Sequence, residues 1–385
     1  MRIPLPEAVL VDGTPDLSQP LAGGTQVETA GGNFTVSNIL LTTDVSEGVQ
    51  LLIIESDRVR AAICPTRGMG IWKAHIDGLP CGWNSSVAGP VHPKYVPILD
   101  ENGLGWLEGF DELLVRCGLQ SFGAPQFDEK EKLVFPLHGR VANLPARDVS
   151  IEVDREHSLL KVHGTVRETR FMQFNFELAT ETSFAIDQPT IDVNDTITNR
   201  GGQPAVAEIL YHINLGRPFL TQGSQLHTGS SRIVARNQRA AEGLANWNVY
   251  EKPTAGYAEQ VYFFDAAGDE NGWATNLLAS PDKKLGFAVH QNTTTLPYVT
   301  QWKNTVAEAD GYVTGIEPGT GFPNTREFEQ QHDRVLRLAP GESVSTQLRM
   351  EALGEEDQVT KLAGELDRHQ GKPELVEFDA KWCMQ

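Results

Sequence analysis

Three short stretches hold the side chains best suited to chemistry. "YVTGIEPGTGFPN" (312–324) sets Glu317 between Ile316 and Pro318, where an alternating apolar run gives way to a Gly- and Pro-rich turn. "AEILYHINLGRPF" (207–219) puts His212 and Asn214 on one face of a strand, with Tyr211, Ile213 and Leu215 on the other. "VFPLHGRVANLP" (134–145) places His138 and Arg140 on the same side of a further strand. A carboxylate at a strand end can simply accept turn N–H groups. Led in by an apolar strand and out by a flexible loop, it is also well placed to point into a cleft. Partial burial there raises a Glu pKa toward neutrality and suits it to general-base work. An imidazole acid beside it completes a pair able to move protons on and off oxygen atoms.

The other candidates read more plainly. Of the ten histidines, His75, His163 and His290 fit structural strand positions, and His92, His157 and His369 fit loops or the surface. No H-x-H, H-E-x-x-H or C-x-x-C spacing occurs, so no metal site is expected. There is no G-x-S-x-G elbow, G-x-G-x-x-G or Walker loop. "RGMGIW" (67–72) reads as a tight bend rather than a phosphate cradle. Trp302 in "LPYVTQWKN" (296–304) offers the aromatic surface that the apolar face of a sugar would take.

The elements that must position these residues are strands. "LKVHGTVRE" alternates Leu160, Val162 and Val166 against Lys161, His163, Thr165 and Arg167, and "TIDVNDTIT" alternates Ile191, Val193 and Ile197 against Asp192, Asn194, Thr196 and Thr198. "FNFELATE" repeats the pattern, and "NRGGQP" (199–204), "PDKK" (281–284) and "APGES" (339–343) are turns between runs. This is half-buried antiparallel sheet. "EGFDELLVRCGL" (108–119) fits a short helix or a strand equally. The clear helix is C-terminal, in "EEDQVTKLAGELDRHQG", with a Val359, Leu362 and Leu366 stripe closed by Gly371. The expected organisation is an irregular arm over 1–30 and one β-sandwich over 31–385 that ends in a short helical tail.

Composition narrows the partners. With 32 Lys and Arg against 51 Asp and Glu the net charge is −19, which disfavours nucleic acid and anionic membrane surfaces. The start lacks the basic, apolar and small-residue succession of a signal peptide, and no apolar run approaches a membrane span, so a cytoplasmic protein is expected. The four cysteines, Cys64, Cys81, Cys117 and Cys383, read as free buried thiols.

Taken together, the three motifs resemble those of the aldose 1-epimerases (galactose mutarotases). "FPLHGRVAN" resembles their first histidine motif, "LYHINLG" is similar to the second, and "GIEPGTGFPN" resembles the strand that supplies the catalytic glutamate. They occur in the family's order, and the likeness covers roughly residues 30–350, with "CGL" (117–119) and "LHGR" (137–140) marking a divergent branch. The resemblance implies an all-β galactose mutarotase-like super-sandwich of two large antiparallel sheets, with few short helices. It implies Glu317 as general base at the anomeric hydroxyl, His212 as general acid at the ring oxygen, and His138 binding the sugar beside them. No cofactor is implied. Asn214, Glu259, Trp302, Arg140 and Arg67 are the expected substrate contacts. An anionic sugar is expected only if Arg67, Arg116 and Arg140 converge. Another acid–base sugar epimerase or isomerase, and a non-catalytic carbohydrate-binding protein, are the competing readings.

Overall fold

The computed structural model describes residues 1–384. Period-two alternation builds two large sheets. The smaller has nine strands, in the order Arg2–Ile3, Arg147–Asp154, Leu159–Arg170, Phe174–Ala185, Thr190–Asn199, Ser343–Leu353, Gly286–Asn292, Trp273–Ala279 and Gln225–Thr228. The larger is centred on Leu114–Leu119, Ala205–Leu215, Val313–Gly319, Tyr298–Asn304 and Gln260–Asp265, lying side by side. Pairing is antiparallel except where Val9–Val11 joins Gly32–Leu41 and where Arg232–Ala235 joins Glu374–Val376. Val162, Leu178 and Leu348 from the smaller sheet meet Ile54, Ile71, Ile209 and Ile213 from the larger in one core, so the sheets form a sandwich.

The alternation has one informative exception. Asp195 lies on the same face as Val193 and Ile197 and is wholly buried. Arg116, from the facing sheet, meets it through Nε at 2.6 Å and Nη2 at 3.1 Å. Tyr211 donates its hydroxyl to Asp195 Oδ2 at 2.9 Å and lies 2.5 Å from Thr346 Oγ1. The remaining Arg116 donor goes to the Met69 carbonyl. This network joins the two sheets directly behind the strand that carries His212.

Several segments differ from the sequence expectation. Residues 108–119 split into a 3-10 turn, Gly105–Gly109, and a fully buried strand, Leu114–Leu119. So short a run fits both periods, and burial on both faces selects the strand. "LHGR" is a turn and not a strand: His138 has φ 55° and Gly139 φ 71°. A Cβ at residue 139 would lie 2.1 Å from the Ser121 carbonyl oxygen, so only glycine lets the turn dock. Residues 1–30 include three short strands, of which Arg2–Ile3 adds to the smaller sheet while Val9–Val11 and Thr25–Thr29 add to the larger. The C-terminal helix is Glu356–Gln370, with Val359 and Ala363 buried and Leu362 and Leu366 packed beside them, and Gly371 follows at φ 61°. All four cysteines are buried and free. Among the described residues no helix is long and apolar enough to cross a membrane.

Removing one partner from a buried ion pair strands the other, at a cost of about 3–5 kcal/mol. Asp195→Asn is therefore expected to lower unfolding stability by about that amount in a denaturant titration. A loss below about 1 kcal/mol, the range of a surface pair, would contradict the cross-sheet role.

Candidate functional site

The strand Val313–Gly319 is buried throughout and lies between Ala205–Leu215 and Tyr298–Asn304. Register sets Glu317 opposite Thr300, and Gly315 opposite both Asn214 and Trp302. Glu317 and His212 thus emerge on the same face of neighbouring strands, with Glu317 Oε1 3.3 Å from His212 Nε2. Gly315 makes this approach possible. A Cβ there would lie 2.4 Å from Glu317 Oε1 and 3.1 Å from His212 Cε1.

Both groups open on a cavity of about 250 Å³ lined also by His138, Trp302, Thr300, Trp106 and Phe110. The rings crowd around the imidazoles. Trp106 lies 4.5 Å from His138, Phe110 5.0 Å from His212, and the two imidazoles stand perpendicular at 5.3 Å. In this apolar setting three buried polar atoms have no hydrogen-bond partner among the described residues: Glu317 Oε1, Thr300 Oγ1 and Trp106 Nε1. All three belong to residues that line this one cavity.

Hydrogen bonds fix both histidine tautomers. Asn214 donates through Nδ2 to the carbonyls of Glu112 and His212, which turns its Oδ1 to His212 Nδ1 at 2.6 Å. His212 therefore carries its proton on Nδ1 and presents Nε2 to Glu317. His138 donates through Nδ1 to the Phe122 carbonyl at 2.9 Å, leaving Nε2 as its available ring atom. Burial pushes the His138 pKa down to about 4; the bond to Phe122 opposes this, and Arg236 adds to it. Burial, then the neighbouring His138, pushes His212 well below its ordinary value. Burial, then Glu259, pushes Glu317 well above its own, with Arg236 opposing. These shifts favour a neutral pair, with the proton on Glu317.

Of the expected contacts, Glu259 and Trp302 line the cavity, and they meet each other: Trp302 Nε1 donates to Glu259 Oε2 at 2.7 Å. Asn214 stands behind His212. Arg67 does not line the cavity. Its guanidinium is spent on Glu112 and on Val91, Gly109 and Asn143. That hold is felt at the site indirectly, because the Glu112 carbonyl anchors Asn214. Arg140, displaced when its strand became a turn, is half-buried near Glu168 and Arg170 and does not line the cavity. The arginine the sequence reading missed is Arg236, a lining residue that donates to Glu259 Oε1 at 3.1 Å. Thr300, Trp106 and Gly315 were missed as well. The only sequence signal for Gly315 is its place two residues before Glu317, on the same strand face. Among the described residues no group of three or more His, Cys, Asp or Glu side chains could hold a metal ion.

The two stacked sheets form a galactose mutarotase-like sandwich. A family model described as "Domain of unknown function (DUF4432)" matches residues 46–352, and the chain belongs to this family. A crystal structure from Klebsiella pneumoniae, described as a "putative aldose 1-epimerase", is 30% identical, with a TM-score of 0.88 over 94% of this chain and 96% of that one. A galactose mutarotase-like protein from Clostridium acetobutylicum shares the fold at 14% identity, with a TM-score of 0.58 over 83% of this chain and 98% of its own. A galactose mutarotase related enzyme from Lactobacillus acidophilus does so at 12% identity, with a TM-score of 0.54 over 78% and 97%. No curated protein matches the sequence.

Two protonation outcomes follow. At neutral pH the infrared difference between wild type and Glu317→Gln should contain the carbonyl band of a protonated carboxylic acid; carboxylate bands instead would overturn the neutral pair. His138, with its folded pKa below 6.5, stays neutral while the unfolded chain takes up a proton. Its contribution to stability is then complete above pH 6.5 and is lost as the pH falls toward about 4. In His138→Asn that part of the acid-denaturation profile should flatten.

Proposed function

We propose that this protein is a mutarotase that interconverts the α and β anomers of a neutral monosaccharide. The observation that carries the reading is Glu317 Oε1 standing 3.3 Å from His212 Nε2 at the cavity, with no other polar partner among the described residues. An anomeric hydroxyl and its ring oxygen share one carbon, so two proton-transfer groups this close together can serve both.

The sugar's O1–H supplies the donor that Glu317 lacks, and its ring oxygen faces His212. Binding thereby favours the carboxylate–imidazolium form of the pair over the neutral form. Glu317 takes the O1 proton while His212 Nε2–H protonates the ring oxygen. The C1–ring oxygen bond breaks and C1=O1 forms. Rotation about C1–C2 and reversal of the same steps give the other anomer. His138 Nε2, held as an acceptor, takes a sugar hydroxyl beside His212. Trp302 and Phe110 offer their faces to the C–H side of the ring. Glu259, tied to Arg236 and Trp302, is a further acceptor for hydroxyls at the rim. The steps are paired proton transfers to oxygen and draw on no cofactor.

A neutral sugar suits the charges. Arg67 and Arg116 are each consumed by a buried carboxylate, Glu112 and Asp195, and Arg140 stands outside the cavity. The arginine that does line it, Arg236, is already paired to Glu259.

Anomer exchange measured by NMR on freshly dissolved neutral aldoses should run well above the spontaneous rate. Glu317→Gln and His212→Asn should each lower it by about 10²–10⁴-fold while sugar binding persists. Gly315→Ala, which drives a methyl group into the pair, should cost about 10²-fold through misplacement. Deuterium from solvent should not enter any C–H bond. Its incorporation would mean epimerisation at another carbon, and binding without acceleration for any sugar would mean a carbohydrate-binding protein.

A further inference from the structure

A second pair of buried carboxylates lies outside the cavity, and the proposed chemistry does not use it. Glu168 is on the core-facing side of Leu159–Arg170, and Glu208 is on Ala205–Leu215, on the same face as His212; they are 2% and 1% exposed. Neither faces an arginine in direct contact. Both are spent on one loop. Glu168 Oε2 accepts from the backbone N–H of Leu119 at 2.7 Å and of Gln120 at 3.1 Å. Glu208 Oε2 accepts from the N–H of Phe122 at 3.3 Å. Glu208 Oε1 has no partner among the described residues.

The same loop holds His138. Phe122 offers its carbonyl to His138 Nδ1 at 2.9 Å, and Gly123 accepts from the His138 backbone N–H at 3.0 Å. On the other side of the turn, Gly118 N–H reaches the His138 carbonyl and Arg140 N–H reaches the Gly118 carbonyl. His138 itself sits at φ 55°, an uncommon left-handed conformation for a non-glycine residue, and these contacts hold it there. The chain of contacts is continuous, from two carboxylates to three N–H groups, to the Phe122 carbonyl, to the imidazole in the cavity.

We infer that Glu168 and Glu208 are positioning residues for His138, setting its tautomer and ring orientation through the 119–123 loop. An ionised carboxylate is a stronger acceptor than its acid, so the loop is held more firmly once these groups lose their protons. Burial raises Glu168 to about 7, opposed by the Leu119 and Gln120 N–H groups and by Arg140 and Arg170. Burial, then Glu329, raises Glu208 to about 8, opposed by Arg326 and the Phe122 N–H. The hold on His138 therefore strengthens with rising pH across the range where His138 no longer titrates.

The inference concerns the site of the proposed reaction, but its first readout is independent of turnover. In wild-type protein labelled with 15N-histidine, the His138 ring-nitrogen shifts should report a single Nδ1–H tautomer and should move with an apparent pKa of about 7–8, although His138 itself titrates near 4. Shifts that stay flat through that range would overturn the inference whether or not any sugar is turned over. Glu208→Gln, near-isosteric and keeping an oxygen acceptor, should fold, retain the tautomer and lose its share of the pH response. Glu208→Ala and Glu168→Ala should mix the tautomers, and with a sugar that is turned over they should lower kcat/KM by about 10²-fold. Folded alanine variants with wild-type His138 shifts and kinetics would show a purely structural role and overturn it. If no sugar is turned over but the His138 shifts respond as expected, the mutarotase reading fails and the positioning inference stands.

Discussion

A carboxylate that is almost fully buried, with one oxygen left unpaired, is costly to keep. Glu317 is 2% exposed and its Oε1 meets no donor among the described residues. The surroundings are organised around that cost. Aromatic rings exclude water, Gly315 vacates the space a side chain would fill, and His212 stands close enough to share a proton. A neutral pair lowers the penalty, and in the proposed reaction the sugar's hydroxyl would offset it by supplying a donor.

Holding two such groups 3.3 Å apart demands a rigid frame. Strand pairing supplies most of it, because Glu317 and His212 sit on adjacent strands of one sheet whose register is locked by Ile213 opposite Ile316. The Arg116–Asp195–Tyr211 network supports that strand from the other side, joining the two sheets one residue away from His212. Arg67 acts at a greater distance, through Glu112 and then Asn214, to orient the same imidazole. His138 is supported differently, by a loop and a turn, since no strand ladder passes through it.

Much of this was legible in the residues. Alternation identified the strands, and the inward Tyr211, Ile213 and Leu215 implied that His212 and Asn214 face the opposite side. Glu317, His212, His138, Glu259 and Trp302 do meet around one cavity. The failures have physical causes. Arg67 looked available because a sequence does not reveal which carbonyls and carboxylates will consume a guanidinium, and Arg140 because the turn that carries it away from the cavity reads locally as a strand. Arg236 lies in a stretch with no motif and is brought to the cavity just past the strand Arg232–Ala235, which pairs with Gln260–Asp265. Asp195 and Glu168 break the alternation as acids on apolar faces, while Glu208 keeps it, on the face that carries His212.

The sequence by itself determined the sheet-rich architecture, the face on which each strand residue lies, and the order of the two histidines and the glutamate. These follow from local rules, since side-chain direction in a strand repeats every two residues and does not depend on distant partners. Tertiary structure alone decided which of those faces became a cavity, that "LHGR" is a turn, and which charges are spent inside the fold. Such outcomes depend on contacts between residues that are far apart in the chain, as with Arg116 and Asp195, 79 positions apart, and no local pattern encodes them.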